Sequence, residues 1–287
     1  MTPTAARRLL LVHAHPDDET LTTGGTMARY AADPGTSVTL VTCTLGEQGE
    51  VIPPELALLD AGNADQLGGY RIGELAGACA ALGVPDHRML GGVGRWRDSG
   101  MALAGHGVRA ATPEVLHPRA FARRESFDDQ VDALVEVLEE VRPQVVLTYG
   151  ADGGYGHPDH VRAHEITVAA VERVPARLYF TAIGRSGLDA GIAALDPAQP
   201  FRVPEPDELP SVPDDEITVR IDVAGQRERR IAAMRAHATQ IALWQSGTAV
   251  AYAMSNLVAQ PLLDVEEYVA AQRGTPLSDD LFTGVTA

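Results

Sequence analysis

The chain predicts an α/β fold: a Rossmann-like, mostly parallel sheet with helices on both faces and a smaller C-terminal strand-helix extension. Three observations carry this expectation. Short, continuous apolar runs, typical of strands buried on both faces, take turns with segments of helical period from residue 9 to about 183. Two of these runs end in nearly the same phrase, His15-Pro16-Asp17-Asp18 and His157-Pro158-Asp159-His160. No Gly-x-Gly-x-x-Gly follows the first run, so its turn is not built for a dinucleotide.

The elements follow in order. Arg8 to Ala14 holds Leu9-Leu10-Leu11-Val12 and reads as the first strand. Leu21 to Ala32 reads as a helix that Asp33-Pro34-Gly35 stops. Val38 to Thr44 is a strand, Gly46 to Pro54 a loop, and Asp65 to Leu82 a long helix ended by Gly83. His87 to Leu90 forms a short strand. Gly91 to Pro118 is glycine-rich and irregular, a length that marks a functional or mobile loop.

Phe127 to Arg142 places Val131, Leu134, Val135 and Leu138 on one helical face, and Pro143 closes it. Val145 to Tyr149 is a strand and Gly150 to Gly156 a turn. Pro158 opens a helix to about Arg173, with proline at its tolerated first position. Arg177 to Ile183 is another strand. Residues 1–287 are expected to form one domain with its core in 8–183. Residues 196–215 carry six prolines among acidic residues and read as an exposed excursion. Residues 217–243 add an edge strand, Ile217 to Val223, and a helix, Gln226 to Leu243. From about Arg273 the chain is expected to be poorly ordered.

Composition narrows the function. At 45% hydrophobic residues the chain can bury a sizeable core. No apolar run approaches the roughly 20 residues of a membrane span. The apolar run near the start breaks at His13 and His15, too soon for a secretory signal. Cys43 sits in a β-branched run and Cys79 in an alanine-rich helix, so both read as buried thiols and the chain as cytoplasmic. A net charge of -16 argues against nucleic acid or an anionic membrane as partner. Oligomeric state leaves no mark in the sequence.

In doubly wound sheets ligands sit beyond the carboxyl ends of the strands, where both His-Pro-Asp phrases fall. Imidazole and carboxylate suit Zn²⁺, with Fe²⁺ as a competitor. Three protein ligands would leave a position for water, as in catalytic sites. His15 and Asp18 are three apart, so one turn can point both inward; His157 and His160 share a helical face. Asp17 lies between candidate ligands and is the natural base for an activated water. His164 shares a face with His160 and is a rival on spacing. His13 alternates away from His15 and reads as packing or support. His87, His106, His117 and His237 read as structural or surface residues, and Glu19 as a cap or an orienting group.

Leu11-Val12-His13-Ala14-His15-Pro16-Asp17-Asp18-Glu19, Gly153-Gly154-Tyr155-Gly156-His157-Pro158-Asp159-His160 and the strand-helix order resemble the zinc-dependent N-acetylglucosamine deacetylases of the LmbE/PIG-L family. Val41 to Ile52, Ala64 to Leu75, Gly94 to Met101 and Ala236 to Gln240 are similar to the members that serve mycothiol biosynthesis. The likeness spans most of residues 8–260.

The resemblance implies removal of the acetyl group from 1-D-myo-inositol 2-acetamido-2-deoxy-α-D-glucopyranoside, a small pseudodisaccharide. It implies His15, Asp18 and His160 as metal ligands, which favours His160 over His164. It implies Asp17 as general base and later acid, Tyr155 as the group that polarises the acetyl carbonyl, and His157 as an aid to the oxyanion. By the same resemblance Arg71 and Asp98 would bind the sugar. Trp96 reads either as a sugar platform or as a plug for its loop, and Asp159 as either a partner of a ligand histidine or a helix cap. Two other functions compete: an amidase that cleaves mycothiol S-conjugates, and a sugar- or nucleotide-binding module without catalysis.

Overall fold

The computed structural model describes residues 7–103 and 109–285. His106 lies outside the described residues. Strand β1 (Arg7–His13) leads through α1 (Asp18–Thr22) and α2 (Gly24–Ala31) into β2 (Thr36–Thr42). Helix α3 (Leu67–Leu82) and β3 (Asp86–Met89) follow, then the two-residue pair β4 (Ala102–Leu103) and β5 (Ala110–Ala111). Next come α4 (Phe127–Val141), β6 (Val145–Tyr149), α5 (Pro158–Arg173), β7 (Arg177–Ala182) and α6 (Arg185–Ala193). The C-terminal part holds β8 (Val219–Asp222), α7 (Arg227–Ala236), β9 (Ala242–Ser246), β10 (Ala249–Ala253), β11 (Gln260–Pro261) and β12 (Val265–Ala270).

Seven strands form the main sheet in the order β3-β2-β1-β6-β7-β12-β8. The first five are parallel, and β12 runs antiparallel to both its neighbours. The chain winds outward from β1 to β2 and β3, then returns to β6 on the other side of β1. The β1–β6 seam, with Leu9 opposite Val145 and Leu11 opposite Leu147, is therefore the switch point where such sheets open a crevice.

Side chains alternate across β1, which explains why its apolar run is unbroken. Leu9 and Leu11 join Leu40, Met27, Leu75 and Leu82 on the face covered by α2, α3 and α7. Leu10 and Val12 join Val41, Val146, Leu134 and Ile166 on the face covered by α4 and α5. Helix α3 ends at Gly83 in the left-handed region, φ 80°, the conformation a glycine cap supplies. No helix among the described residues is long and apolar enough to cross a membrane.

The structure departs from the sequence expectation in four places. The helix expected over Leu21–Ala32 is two helices broken at Thr23, whose hydroxyl donates to the Glu19 carbonyl at 3.0 Å and so competes with the backbone ladder. The helix expected to reach Leu243 ends at Ala236; Ala242–Ser246 instead pairs with Ala249–Ala253 across the two-residue turn Gly247-Thr248. Helix α6 and strands β11 and β12 have no counterpart in the expectation. In the final stretch Leu281 and Phe282 are buried; the Tyr30 hydroxyl donates to Asp280 at 2.7 Å and accepts the Leu281 N–H at 2.9 Å. Of the two readings of Trp96 the plug holds: the ring is buried edge-on against Phe121, where it packs its loop onto the core.

Candidate active site

Both arms of the site leave the carboxyl ends of the strands that flank the switch point. Beyond β1, Asp18 is the first residue of α1. Its Oδ2 accepts the His15 N–H at 2.8 Å and lies 3.2 Å from His15 Nδ1. Its Oδ1 lies 3.3 Å from His160 Nε2. One carboxylate thus stands between the two imidazoles.

Asp17 adopts φ 120° and ψ -35°. A side chain in that region costs on the order of 1–3 kcal/mol and needs support from its surroundings. The support is visible: the Asp17 N–H donates to Glu19 Oε2 at 2.9 Å, and Asp17 Oδ2 accepts from Arg71 Nη2 at 2.9 Å.

Beyond β6 the chain turns back over the first turn of α5. Gly153 makes this possible. Its φ is 66°, and a Cβ there would stand 2.7 Å from that of His160. The Gly153 carbonyl can only accept, so the His160 contact at 3.1 Å puts the proton on Nδ1. Nε2 faces Asp18 Oδ1, buried and without a hydrogen-bond partner among the described residues. Tyr149 stacks on the His160 ring at 4.2 Å, and its hydroxyl accepts the Ala14 N–H at 2.8 Å, which ties the two arms together.

His15 repeats this pattern. Its Nε2 lies 3.2 Å from Asp159 Oδ2 and 3.5 Å from Asp98 Oδ1. Its Nδ1 faces Asp18 on the other side. At both rings, then, an imidazole nitrogen faces an Asp18 oxygen at 3.2–3.3 Å, and a bound divalent cation would take the place of the proton that otherwise joins them. The donor set of two imidazoles and one carboxylate fits Zn²⁺ or Fe²⁺. The ligand atoms of His15, His157 and His160 also lie within 4.8 Å of one another, as do those of His15, Asp98 and Asp159.

The electrostatics are set by burial. Burial raises the Asp17 carboxyl to about 6; Arg71 opposes this and Asp18 adds to it. Burial also opposes charge on His15, but Asp98, Asp159 and Asp18 outweigh it and hold its pKa well above the ordinary value. Burial would raise Asp18, yet His160 and His15 keep it well below the usual carboxylate range. His157 is pushed down to about 2 by burial and by the neighbouring His15 and His160. Its ring is therefore neutral. Nδ1 accepts the Asp159 N–H at 3.2 Å, which leaves an N–H on Nε2. Burial raises the Tyr155 hydroxyl, so it keeps its proton. The Tyr155 ring stands edge-on to His160 at 5.1 Å and to His157 at 6.0 Å.

The two residues expected to bind sugar are both buried and engaged. The Arg71 guanidinium donates to the carbonyls of Gly46 and Pro16 and to Asp17. Asp98 accepts from the N–H groups of Gln48 at 3.0 Å and Gly100 at 2.8 Å. Asp159 supports His15 and accepts the Ser99 N–H at 2.9 Å. His164 is outside the cluster: its Nδ1 meets the Tyr149 carbonyl at 2.9 Å and its ring lies against Phe180. His13 bonds the hydroxyls of Thr23 and Tyr149.

Sequence reasoning missed Tyr149, Glu47 and His237. Glu47 Oε2 accepts the Asp98 N–H at 3.0 Å. His237, expected at the surface or in a structural role, bonds Glu19 beneath Asp17. Tyr149 had a signal as the last residue of the strand that carries the second arm, and Glu47 and His237 lie in stretches that share the family resemblance.

Known proteins resemble this chain along nearly its whole length. A family profile described as PIG-L, GlcNAc-PI de-N-acetylase, matches residues 10–171. The 1D-myo-inositol 2-acetamido-2-deoxy-alpha-D-glucopyranoside deacetylase 1 of Saccharopolyspora erythraea is 57% identical over 99% of this chain and 96% of its own length. The deacetylase of the same description from Actinosynnema mirum is 55% identical over 99% of each. The crystal structure of a deacetylase from teicoplanin biosynthesis superposes with a TM-score of 0.54 at 19% identity, covering 92% of this chain and 99% of that one, and shares the fold. The profile covers both His-Pro-Asp arms and the relatives span the chain nearly end to end: the protein belongs to the PIG-L family of de-N-acetylases.

Proposed function

We propose that the chain is a metal-dependent hydrolase. It removes the N-acetyl group from 1-D-myo-inositol 2-acetamido-2-deoxy-α-D-glucopyranoside, giving the free amine and acetate in mycothiol biosynthesis. The observation that carries this reading is the Asp18 carboxylate set between ring nitrogens of His15 and His160, with Asp17 beside it. Relatives above 50% identity with that activity in their description support the substrate.

His15, Asp18 and His160 would hold the cation, Zn²⁺ or in its place Fe²⁺. When bound, it supplies a Lewis acid and an acidified water. Asp17 takes the proton from the attacking water as the water oxygen bonds to the acetyl carbon. The Tyr155 hydroxyl and the His157 Nε2–H donate to the carbonyl oxygen as it gains charge. Asp17 then passes its proton to the nitrogen as the C–N bond breaks, and acetate leaves. Burial, which raises the Asp17 carboxyl, favours both duties, taking a proton and giving it back. Arg71 holds the Asp17 carboxylate, and Arg71 and Asp98 are the proposed sugar contacts once substrate enters. Buried free thiols at Cys43 and Cys79 fit a cytoplasmic protein. The segment after α7 reaches the site, so residues 1–287 serve as one catalytic unit.

The test is a direct assay of two substrates with purified, zinc-loaded protein. Acetate release from the pseudodisaccharide is the expected result. Preferential cleavage of a bimane conjugate of mycothiol would instead assign the sister amidase reaction. No turnover of either, and no zinc retained after dialysis, would leave a binding module.

A further inference from the structure

Glu19 and His237 form a hydrogen-bonded pair that is fully buried and spans 218 residues of sequence. His237 Nε2 lies 2.7 Å from Glu19 Oε1, and neither side chain has any exposed surface. The other oxygen, Oε2, accepts the N–H of Asp17. The Thr20 hydroxyl donates to Oε1 as well. Both oxygens of this carboxylate are thereby committed, one to the proposed base and one to a histidine from the far end of the chain.

The residues after His237 grip other parts of the site. Thr239 donates its N–H and its hydroxyl to the Glu74 carboxylate at 2.8 Å and 2.7 Å. Glu74 sits one turn from Arg71 on α3. The Thr239 carbonyl accepts the Ile52 N–H at 2.9 Å, and Gln240 donates to the Glu50 carbonyl at 3.2 Å. This short segment, beyond the residues the family profile matches, thus braces the Asp17 peptide, the helix that carries Arg71, and the loop after β2.

We propose that Glu19 and His237 are positioning residues for Asp17: His237 orients the Glu19 carboxylate, which holds the Asp17 peptide in its φ 120° turn and so aims the carboxylate of the base. A buried carboxylate left without its histidine would turn away from the Asp17 N–H or draw in water. Either event releases a backbone conformation that Asp17 does not favour by itself. The inference rests on Asp17 acting as the base proposed above, and it separates positioning from metal binding because neither Glu19 nor His237 belongs to the proposed ligand set.

The experiment compares Glu19→Gln, His237→Asn and the double variant with the parent, as full chains loaded with Zn²⁺. Four readouts are taken: metal stoichiometry, kcat, KM for the pseudodisaccharide, and hydrogen exchange of the Asp17 amide by NMR. The expected result is a kcat lower by about 10- to 100-fold, with KM within about twofold and metal content unchanged. The Asp17 amide should exchange faster in each variant. The double variant should be no worse than the more damaged single, since the two residues act as one unit.

Parental kcat in a folded Glu19→Gln, additive losses, or a loss that tracks missing metal would each overturn the proposal. If His237→Asn does not fold, Glu19→Gln, which keeps size and shape, decides alone. If the parent releases no acetate, the proposed activity fails, and the Asp17 amide still decides the pairing: protection lost in Glu19→Gln upholds it, and protection equal to the parent's overturns it.

Discussion

The two His-Pro-Asp arms are nearly the same four residues put to different uses. In the first arm the proline is followed by an aspartate at φ 120°, and a helix of only five residues begins at Asp18. In the second arm the proline is the first residue of a sixteen-residue helix, and the preceding His157 caps it with its own ring nitrogen. The third residue therefore points in different directions. Asp17 is held near the crevice by Glu19 and Arg71, whereas Asp159 is fully buried and reaches across to His15. One arm supplies the proposed base and two ligands; the other supplies one ligand, a hydrogen-bond donor and a brace. Backbone context, more than residue identity, divides the labour.

Removing the second arm's ligand is the most damaging way to break this division. His160→Ala should lose both bound metal and turnover, while His164→Ala should keep both; equilibrium dialysis against Zn²⁺ with an acetate assay checks the pair. Asp17→Ala should leave metal in place and lower kcat by about 10²- to 10⁴-fold, the range for a lost general base, measured on zinc-loaded protein. Tyr155→Phe should lower kcat by on the order of 10²-fold, more than it raises KM, because its hydrogen bond strengthens as charge develops; steady-state kinetics separate the two. Asp159→Asn weakens the brace without removing it, and metal affinity should fall by about 10- to 100-fold in a chelator competition. A loss as large as that of His160→Ala would make Asp159 a ligand instead of a support for His15.

Much of the frame was legible before any coordinates. Runs such as Leu9-Leu10-Leu11-Val12 and Val145-Val146-Leu147 read as strands buried on both faces, and Pro158 marks its helix start to the residue. The meeting of the two phrases follows from the winding rule, since both strands end at the same crevice. What stayed hidden depends on distance in sequence. Nothing local tells that His237 lies under Glu19, because their pairing is made by the packing of α7 against α1 and α3. The strain at Asp17 was equally hidden, since aspartate after proline is ordinary until its peptide is pulled toward Glu19. Helix α7 was read too long for a related reason: Ala238 to Leu243 has helical composition, but Thr239 is anchored to Glu74 and the following residues pair as a hairpin. The engagement of Arg71 with Asp17 was missed because an arginine near a helix start reads as solvated until Gly46 and Pro16 are seen to receive it.

The central claim is that both arms bind one ion, and a crystal structure of the zinc-loaded protein tests it most directly. The account predicts a single Zn²⁺ with a His15 nitrogen, an Asp18 oxygen and His160 Nε2 each within about 2.0–2.2 Å, and with solvent at a further position. An ion held by His15, Asp98 and Asp159 instead, with the His160 nitrogen beyond bonding distance, would contradict it.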